Sequence, residues 1–524
     1  MKLQANPDDI ERYVSSGWWE ENKGLSDFVE DNAKRNPNGV AYQNDEFAIT
    51  WINYFQRSNE LAQILSERLG QGERVLVWLP DNANVHIAYL ACEIAGLIAV
   101  GVGWKAGLQE LKHLSDKTTA SILISNELNN YGTRDEISKH LNIESIGIEN
   151  NLENQNVENR PPKDERGVSP SDLWFLNSTS GTTGLPKCVM QTQNRWFYFH
   201  KKAVEFGNLD SSDIWMSVVP APFGFGLWTA HVTPTLLGIP CFLQERFDPK
   251  KAAEQIEKYS VTVLCAVSSQ FVMILDASTN IDLSSLKVIF TGGEAISPSR
   301  ARELEDKSGC RVLNFYGSNE TGTLSGTKIF DPSDKRRSTA GKVIPEMQVR
   351  LYEPSSKERL PDVGKGQPAC KGPALSLGYW MDDLANSELM TEDGWFLMGD
   401  LVEIEPEGWL RVTGRVSDFI IRGGKNISAV AVEREVELHP KVALVAVVPK
   451  PDERLGETAA AYVQLHKGEE LDLEELKLFL GSNGVSIEWW PESLYVLENL
   501  PISSGGKVAK GELRQLMERK EINK

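Results

Sequence analysis

An apolar run at 75–79, a helical pattern over about 83–95 closed by Gly96, and a second apolar run at 98–102 follow one another with almost no connector. Two strands joined through a helix pair in parallel, because antiparallel neighbours need only a short hairpin. The succession therefore predicts a βαβ unit and a parallel sheet. A helix is predicted before it over 50–69, with Thr50 as N-cap, Ile52, Phe55, Leu61, Ile64 and Leu65 on its apolar face, and Gly70 as the stop. The alternation continues through strands at 121–125, 173–177, 214–219, 261–267 and 288–291 and a helix at 249–259, with a polar, Pro-bearing connector at 150–170.

From about Gly341 short strands are separated by Pro and Gly turns (Glu353-Pro354, Leu360-Pro361, Gly364, Gly372-Pro373), the pattern of a small β-rich subdomain. Past Arg415 strands at 419–421, 443–448, 459–465 and 493–497 mix with helices at 431–438 and 473–480. The expected fold class is α/β. A large N-terminal region (1–415) of layered α/β subdomains carries a β-rich subdomain at about 341–415, and a small α+β C-terminal domain (416–524) follows. No internal repeat or low-complexity block interrupts this order. At roughly 100–200 residues per domain, 524 residues are too many for one core.

The formal charge of −19 argues against a broad basic surface for nucleic acid or anionic lipid, so a polyanionic ligand would need local donors. The six cysteines form no C-x-x-C pair and the seven histidines no H-E-x-x-H, which disfavours disulfide scaffolds and zinc sites. The first residues, MKLQANPDDIERY, lack the apolar stretch of a signal peptide, and the most apolar long window, 87–102, is too short to span a bilayer. A soluble, cytoplasmic protein is expected.

The most informative loop is Asn177-Ser178-Thr179-Ser180-Gly181-Thr182-Thr183-Gly184-Leu185-Pro186-Lys187. Glycines admit backbone N–H groups to phosphate oxygens, hydroxyls add donors and the ammonium adds countercharge. Pro186 before the lysine and Cys188 after it exclude a Walker A loop. A surface loop is the plain alternative, and the apolar strand before it with the lysine after it favours a phosphate cradle.

This segment resembles the phosphate loop of the adenylate-forming superfamily of acyl- and aryl-CoA ligases, peptide-synthetase adenylation domains and luciferases. Further segments resemble its signatures in the same order, through Lys507. Thr291-Gly292-Gly293-Glu294-Ala295 is similar to the adenine-side turn. Asn314-Phe315-Tyr316-Gly317-Ser318-Asn319-Glu320-Thr321-Gly322 resembles the aromatic-Gly-x-Thr-Glu signature, which implies Tyr316 beside adenine and Glu320 on Mg²⁺; Asn319 stands where a threonine usually bonds the α-phosphate. Gly399-Asp400 resembles the ribose-binding segment. Gly414-Arg415-Val416-Ser417-Asp418 resembles the hinge, with Arg415 toward ribose or phosphate and Ser417 at the pivot, and Arg422, Gly423, Gly424 and Lys425 following along a CoA channel. Leu500-Pro501-Ile502-Ser503-Ser504-Gly505-Gly506-Lys507 resembles the C-terminal loop whose lysine reaches the attacking carboxylate and the α-phosphate.

The resemblance implies that ATP and Mg²⁺ convert a carboxylic acid into an acyl-adenylate with release of pyrophosphate, and that CoA then accepts the acyl group. Lys507, Glu320 and Lys187 are the implied catalytic groups. Pro220-Ala221-Pro222-Phe223-Gly224-Phe225-Gly226 aligns with the acyl-binding segment; Phe223, Phe225, Gly226, Gly292 and Gly317, with Trp196 or Phe197, would line a slot for an aryl or cyclic acid, or the aromatics are simply core. The C-terminal domain would rotate about Ser417 between the half-reactions. A carrier-protein thiol is the rival acceptor, a luciferase-type enzyme a distant third, and a non-catalytic nucleotide-binding regulator the reading from another class. Neither nucleic acid nor a membrane span is expected as a partner, and a homodimer is left open.

Overall fold

The computed structural model describes residues 6–148, 168–178, 186–293, 298–354, 356–416, 419–422, 425–452, 454–502 and 508–521. Two large sheets dominate the first part of the chain. One has nine strands, with the parallel series Arg311–Ser318, Val288–Gly292, Val263–Cys265, Trp215–Ser217, Cys241–Leu243 and Val40–Gln43 at its centre. The other has six, with Phe175–Ser178, Ile98–Gly101, Arg74–Trp78, Ile122–Ser125 and Glu144–Gly147 parallel and Cys188–Gln191 antiparallel at one edge.

The expected βαβ unit is Arg74–Trp78, helix Ala83–Ile94 and Ile98–Gly101. Side chains alternate across each strand, so each sheet feeds two cores. Val75, Val77, Ala99, Ile122 and Ile124 join Val263, Cys265, Val288 and Phe290 in one core between the sheets. Leu76, Val100 and Leu123 pack on the far side of the smaller sheet, and Leu264, Ile289 and Val312 on the far side of the larger.

The helix predicted over 50–69 differs in its buried face. Helix Trp51–Ser66 has Thr50 as N-cap, as predicted, but buries Trp51, Tyr54, Ser58, Leu61, Ala62 and Leu65, leaving Ile52, Phe55 and Ile64 half-buried. The Tyr54 hydroxyl donates to the His86 carbonyl of helix Ala83–Ile94, which turns the heavier aromatic stripe inward. The segment after Pro220 is helical: Gly224–Gly226 runs into a π-helix, Leu227–Val232.

An antiparallel sheet of Val349–Tyr352, Gly364–Cys370, Asp400–Ile404 and Leu410–Arg415, with Phe396–Leu397 at its side, forms the β-rich part. The last sheet pairs hairpin Phe419–Arg422/Lys425–Ser428 with Gly456–Leu465, Val442–Asp452 and Ser493–Val496. Val447, Ala461 and Val463 face helices Ala429–Glu437 and Leu473–Ser482, while Ala446, Ala460 and Tyr462 face helix Lys510–Glu521. Among the described residues no helix is long and apolar enough to cross a membrane.

Candidate active site

In open parallel sheets ligands collect beyond the carboxyl ends of the strands. Here such ends from both sheets meet. Asn177, at the end of Phe175–Ser178, donates through Nδ2 to Asn319 Oδ1 at 3.2 Å, just past the end of Arg311–Ser318. Gln191 Nε2 donates to Asn177 Oδ1 at 2.6 Å. Arg195, in helix Gln193–Gly207, donates through Nη1 to the Asn319 carbonyl at 2.6 Å and through Nε to the Ala374 carbonyl at 2.8 Å. Asn177, Gln191 and Arg195 are fully buried, so unpaired amides there would be costly, and the cross-bonding ties one sheet to the other.

Glu320 lies directly after this knot. Its Oε1 accepts the Tyr379 hydroxyl at 2.7 Å, and Lys187 Nζ stands 4.9 Å from the centre of the Tyr379 ring. Burial, and then the charge of Glu320, hold the Tyr379 phenol well above its usual range, so it stays a donor. The segment carrying Tyr379 extends the smaller sheet: Met190 N–H donates to the Gly378 carbonyl and Trp380 N–H to that of Cys188, both at 2.8 Å. Lys187 and Glu320, far apart in sequence, are thereby held on one tyrosine.

A third group forms around Asp400. The Tyr316 hydroxyl donates to its Oδ2 at 3.0 Å and Arg415 Nε to its Oδ1 at 3.1 Å. Burial first, and Asp400 second, raise the Tyr316 phenol far above its ordinary value. Strand register sets Thr291 beside Asn314 and Gly292 beside Phe315, which brings the 291–293 turn and the 314–322 segment together. Gly293 closes that turn with φ +78°. Asn314 uses its backbone N–H on Thr327 Oγ1 at 2.8 Å, and Phe315 lies among Phe199, Phe206, Phe290 and Trp228.

In the segment after Pro220, Phe225 stacks on Trp228 at 5.5 Å and Trp228 on Phe199 at 4.3 Å. Trp196 Cη2 comes within 3.2 Å of where a Cβ of Gly224 would stand, whereas Phe197 turns away to meet Phe28 edge-on. Phe223 opens the short helix as its N-cap. A Cβ on Gly226 would stand 1.9 Å from the Pro220 carbonyl oxygen, on Gly292 2.7 Å from that of Phe315, and on Gly317 1.7 Å from that of Gly322, so close backbone packing accounts for all three glycines. Trp228 and Phe199 escaped the sequence reading; the Phe225-to-Trp228 spacing of a helical turn was the available signal.

Arg422 is engaged inside the C-terminal sheet region, donating to the Glu488 carbonyl at 3.1 Å and pairing with Glu492 at 2.8 Å. Lys425 opens its strand. Thr179, Ser180, Gly181, Thr182, Thr183, Gly184, Glu294, Ser417, Gly423, Gly424 and Lys507 lie outside the described residues.

No cluster of three or more His, Cys, Asp or Glu side chains able to hold a metal occurs among the described residues. A single hard carboxylate, Glu320, fits Mg²⁺, which is commonly held by one or two carboxylates plus substrate phosphates. The buried pair His86 and His231 (ring nitrogens 3.3 Å apart) is unlike such a site, because it offers nitrogen donors where Mg²⁺ takes oxygen; burial drives both imidazoles toward the neutral form, His231 to about 3.

Comparison with known proteins agrees with this geometry. The model of the AMP-binding enzyme family matches residues 29–380, and that of the AMP-binding enzyme C-terminal domain matches 431–507. The chain is 28% identical to the medium-chain fatty-acid–CoA ligase of Escherichia coli, over 98% of this chain and 94% of that protein. It is 26% identical to the vibriobactin-specific 2,3-dihydroxybenzoate-AMP ligase of Vibrio cholerae, over 96% and 95%. Its fold superimposes on that of an anthranilate CoA ligase in complex with anthranoyl-AMP with a TM-score of 0.82 at 20% identity, covering 96% and 98% of the two chains. With both family models in chain order and the strand-end loops gathered at one crevice, the chain belongs to the AMP-binding enzyme family.

Proposed function

We propose that the chain is an AMP-forming acid–thiol ligase that activates an aryl, cyclic or otherwise apolar carboxylic acid with ATP and transfers it to CoA. The observation that carries this reading is the contact of Asn177 with Asn319. It brings the root of the Ser/Thr/Gly loop to the Glu320 turn.

A carboxylate is a poor acyl donor, since its leaving group would be oxide. Attack of one carboxylate oxygen on the α-phosphorus of ATP forms a P–O bond, breaks the bond to pyrophosphate and leaves a mixed anhydride. Two anions must approach, so positive charge and donors are needed where negative charge concentrates. In this reading residues 179–184 and Lys187 grip the phosphates, Asp400 accepts the ribose hydroxyls, and Tyr316 and Arg415 hold Asp400 in place. Lys507 reaches the attacking oxygen and the α-phosphate. Bound at Glu320, Mg²⁺ would neutralise part of the charge on the phosphate oxygens.

In the second half-reaction a thiolate attacks the adenylate carbonyl, the C–O bond breaks and AMP leaves. Rotation of the unit 416–524 about Ser417 would withdraw Lys507 and admit the pantetheine arm along 422–425. Phe225, half-buried and stacked on the buried Trp228, supports an apolar, flat acyl group. CoA is favoured as acceptor by likeness to CoA ligases, and the AMP-ligase relative keeps a carrier-protein thiol as the second reading.

The test is a panel of benzoates, cinnamates, cyclic acids and medium-chain acids, read by pyrophosphate release with and without CoA. Acid-dependent release that rises on adding CoA is expected. Release with no acid selectivity, or product formed only on a carrier protein, would contradict the assignment.

A further inference from the structure

Arg195 is 1% exposed, yet among the described residues no carboxylate pairs with its guanidinium. Its hydrogen bonds go to neutral groups: the carbonyls of Asn319 and Ala374, and Gln191 Oε1. Nη2 has no hydrogen-bond partner among the described residues. Below the guanidinium lies the Trp196 ring, 4.7 Å from its central carbon. An unpaired buried cation costs several kcal/mol, and a neutral amide could cap the same carbonyls at less expense.

What the charge faces explains why a cation is kept. Asn319, whose carbonyl it binds, immediately precedes Glu320, and Glu320 is the carboxylate whose field most strengthens the charged form of Arg195. Ala374 O, its second anchor, stands 2.5 Å from where a Cβ of Gly322 would lie, so Arg195 also secures the far end of the same turn. Gln191 continues the chain to Asn177, at the root of the phosphate loop.

We infer that Arg195 is a positioning residue. It clamps the Asn319–Glu320 turn from its buried side and supplies a fixed positive charge that holds the Glu320 carboxylate ready for Mg²⁺ and the phosphates. The inference rests on the adenylation reading given above.

The test uses full-length Arg195→Gln and Arg195→Lys in acid-dependent ATP–pyrophosphate exchange, titrated with Mg²⁺ and run across pH, and in calorimetric titration with Mg²⁺ and ATP without acid, where Arg195→Gln should bind more weakly than the wild type. Arg195→Gln is expected to lower exchange about 10- to 100-fold, the usual worth of a charged hydrogen bond, and to raise the half-saturating Mg²⁺ concentration. Arg195→Lys should restore most of the rate near neutral pH and lose it at a lower alkaline pH than the wild type. A buried ammonium surrenders its proton more easily than a guanidinium, and burial already pulls Arg195 itself down to about 9. A folded Arg195→Gln with unchanged rate and Mg²⁺ dependence overturns the inference. So does an Arg195→Lys profile parallel to that of the wild type, which decides the matter should Arg195→Gln fail to fold. Absence of exchange in the wild type with every acid would instead overturn the adenylation reading, so the two failures are distinguishable.

Discussion

Gly224 and Asn319 interlock: a Cβ on Gly224 would stand 2.1 Å from Asn319 Oδ1. The segment at 220–226 and the turn at 318–320 therefore meet with no room for a methyl group, and Asn319 is held there by Asn177. Gly224→Ala should lower kcat/KM for the acid about tenfold or more, through displacement of Asn319. Because threonine is shorter, Gly224→Ala/Asn319→Thr should recover part of the loss, with a coupling energy of about 1–3 kcal/mol in a double-mutant cycle. Additive effects would show that the contact does not matter to catalysis.

Tyr379 gives a second prediction. Tyr379→Phe keeps the ring beside Lys187 and removes only the donor to Glu320. The half-saturating Mg²⁺ concentration in pyrophosphate exchange is expected to shift about 5- to 50-fold, with a thermal midpoint close to that of the wild type. An unchanged Mg²⁺ titration would remove Tyr379 from the account.

Asp400 is held from two sides, by Tyr316 and Arg415. Asp400→Asn should raise KM for ATP about tenfold or more by weakening the charged acceptor, and Tyr316→Phe should raise it less. Steady-state kinetics with varied ATP at saturating acid would check both, and the reverse ranking would contradict the ribose assignment.

The pH dependence of stability is expected to show Asp81. Its carboxylate accepts the Ala221 N–H at 2.7 Å, just after Pro220. Burial lifts its pKa from an ordinary 3.8 to about 7, with Glu245 adding to the rise and the Ala221 bond and Lys105 opposing it. The folded state thus binds this proton more tightly than the unfolded chain. The stability it contributes is full below about pH 4 and is lost as pH climbs through 7. Denaturant midpoints of wild type and Asp81→Asn should accordingly diverge between pH 4 and 7, with the wild type losing ground; parallel curves would show that Asp81 titrates normally.

Much of this arrangement was legible from the residues. Apolar runs at 75–79 and 288–290, too short for helices, read as strands covered on both faces, and Thr50 was readable as a cap because a hydroxyl there satisfies a free N–H. The loop at 177–187 was visible in its own composition, whereas those at 314–322 and 399–400 stood out only through their resemblance to the adenylate-forming superfamily. Tertiary pairings were not. Arg195 reads as an ordinary helical arginine, and only the approach of Asn319 and Ala374 makes it a clamp. Tyr379 carries no local sign of its bond to Glu320, 59 positions away. The inward turn of helix Trp51–Ser66 also depended on its neighbour, since aromatic and aliphatic stripes competed for the same core.

In the proposed reaction an oxygen of the acid becomes bonded to the α-phosphorus of ATP. Supplying an active carboxylic acid labelled with ¹⁸O in its carboxyl group, together with ATP, Mg²⁺ and CoA, and weighing the released AMP by mass spectrometry tests it directly. One labelled oxygen per AMP is predicted, because the bridging oxygen stays with phosphorus when the thiol cleaves the anhydride. Thioester formed alongside unlabelled AMP, or ADP and labelled inorganic phosphate in its place, would contradict the account.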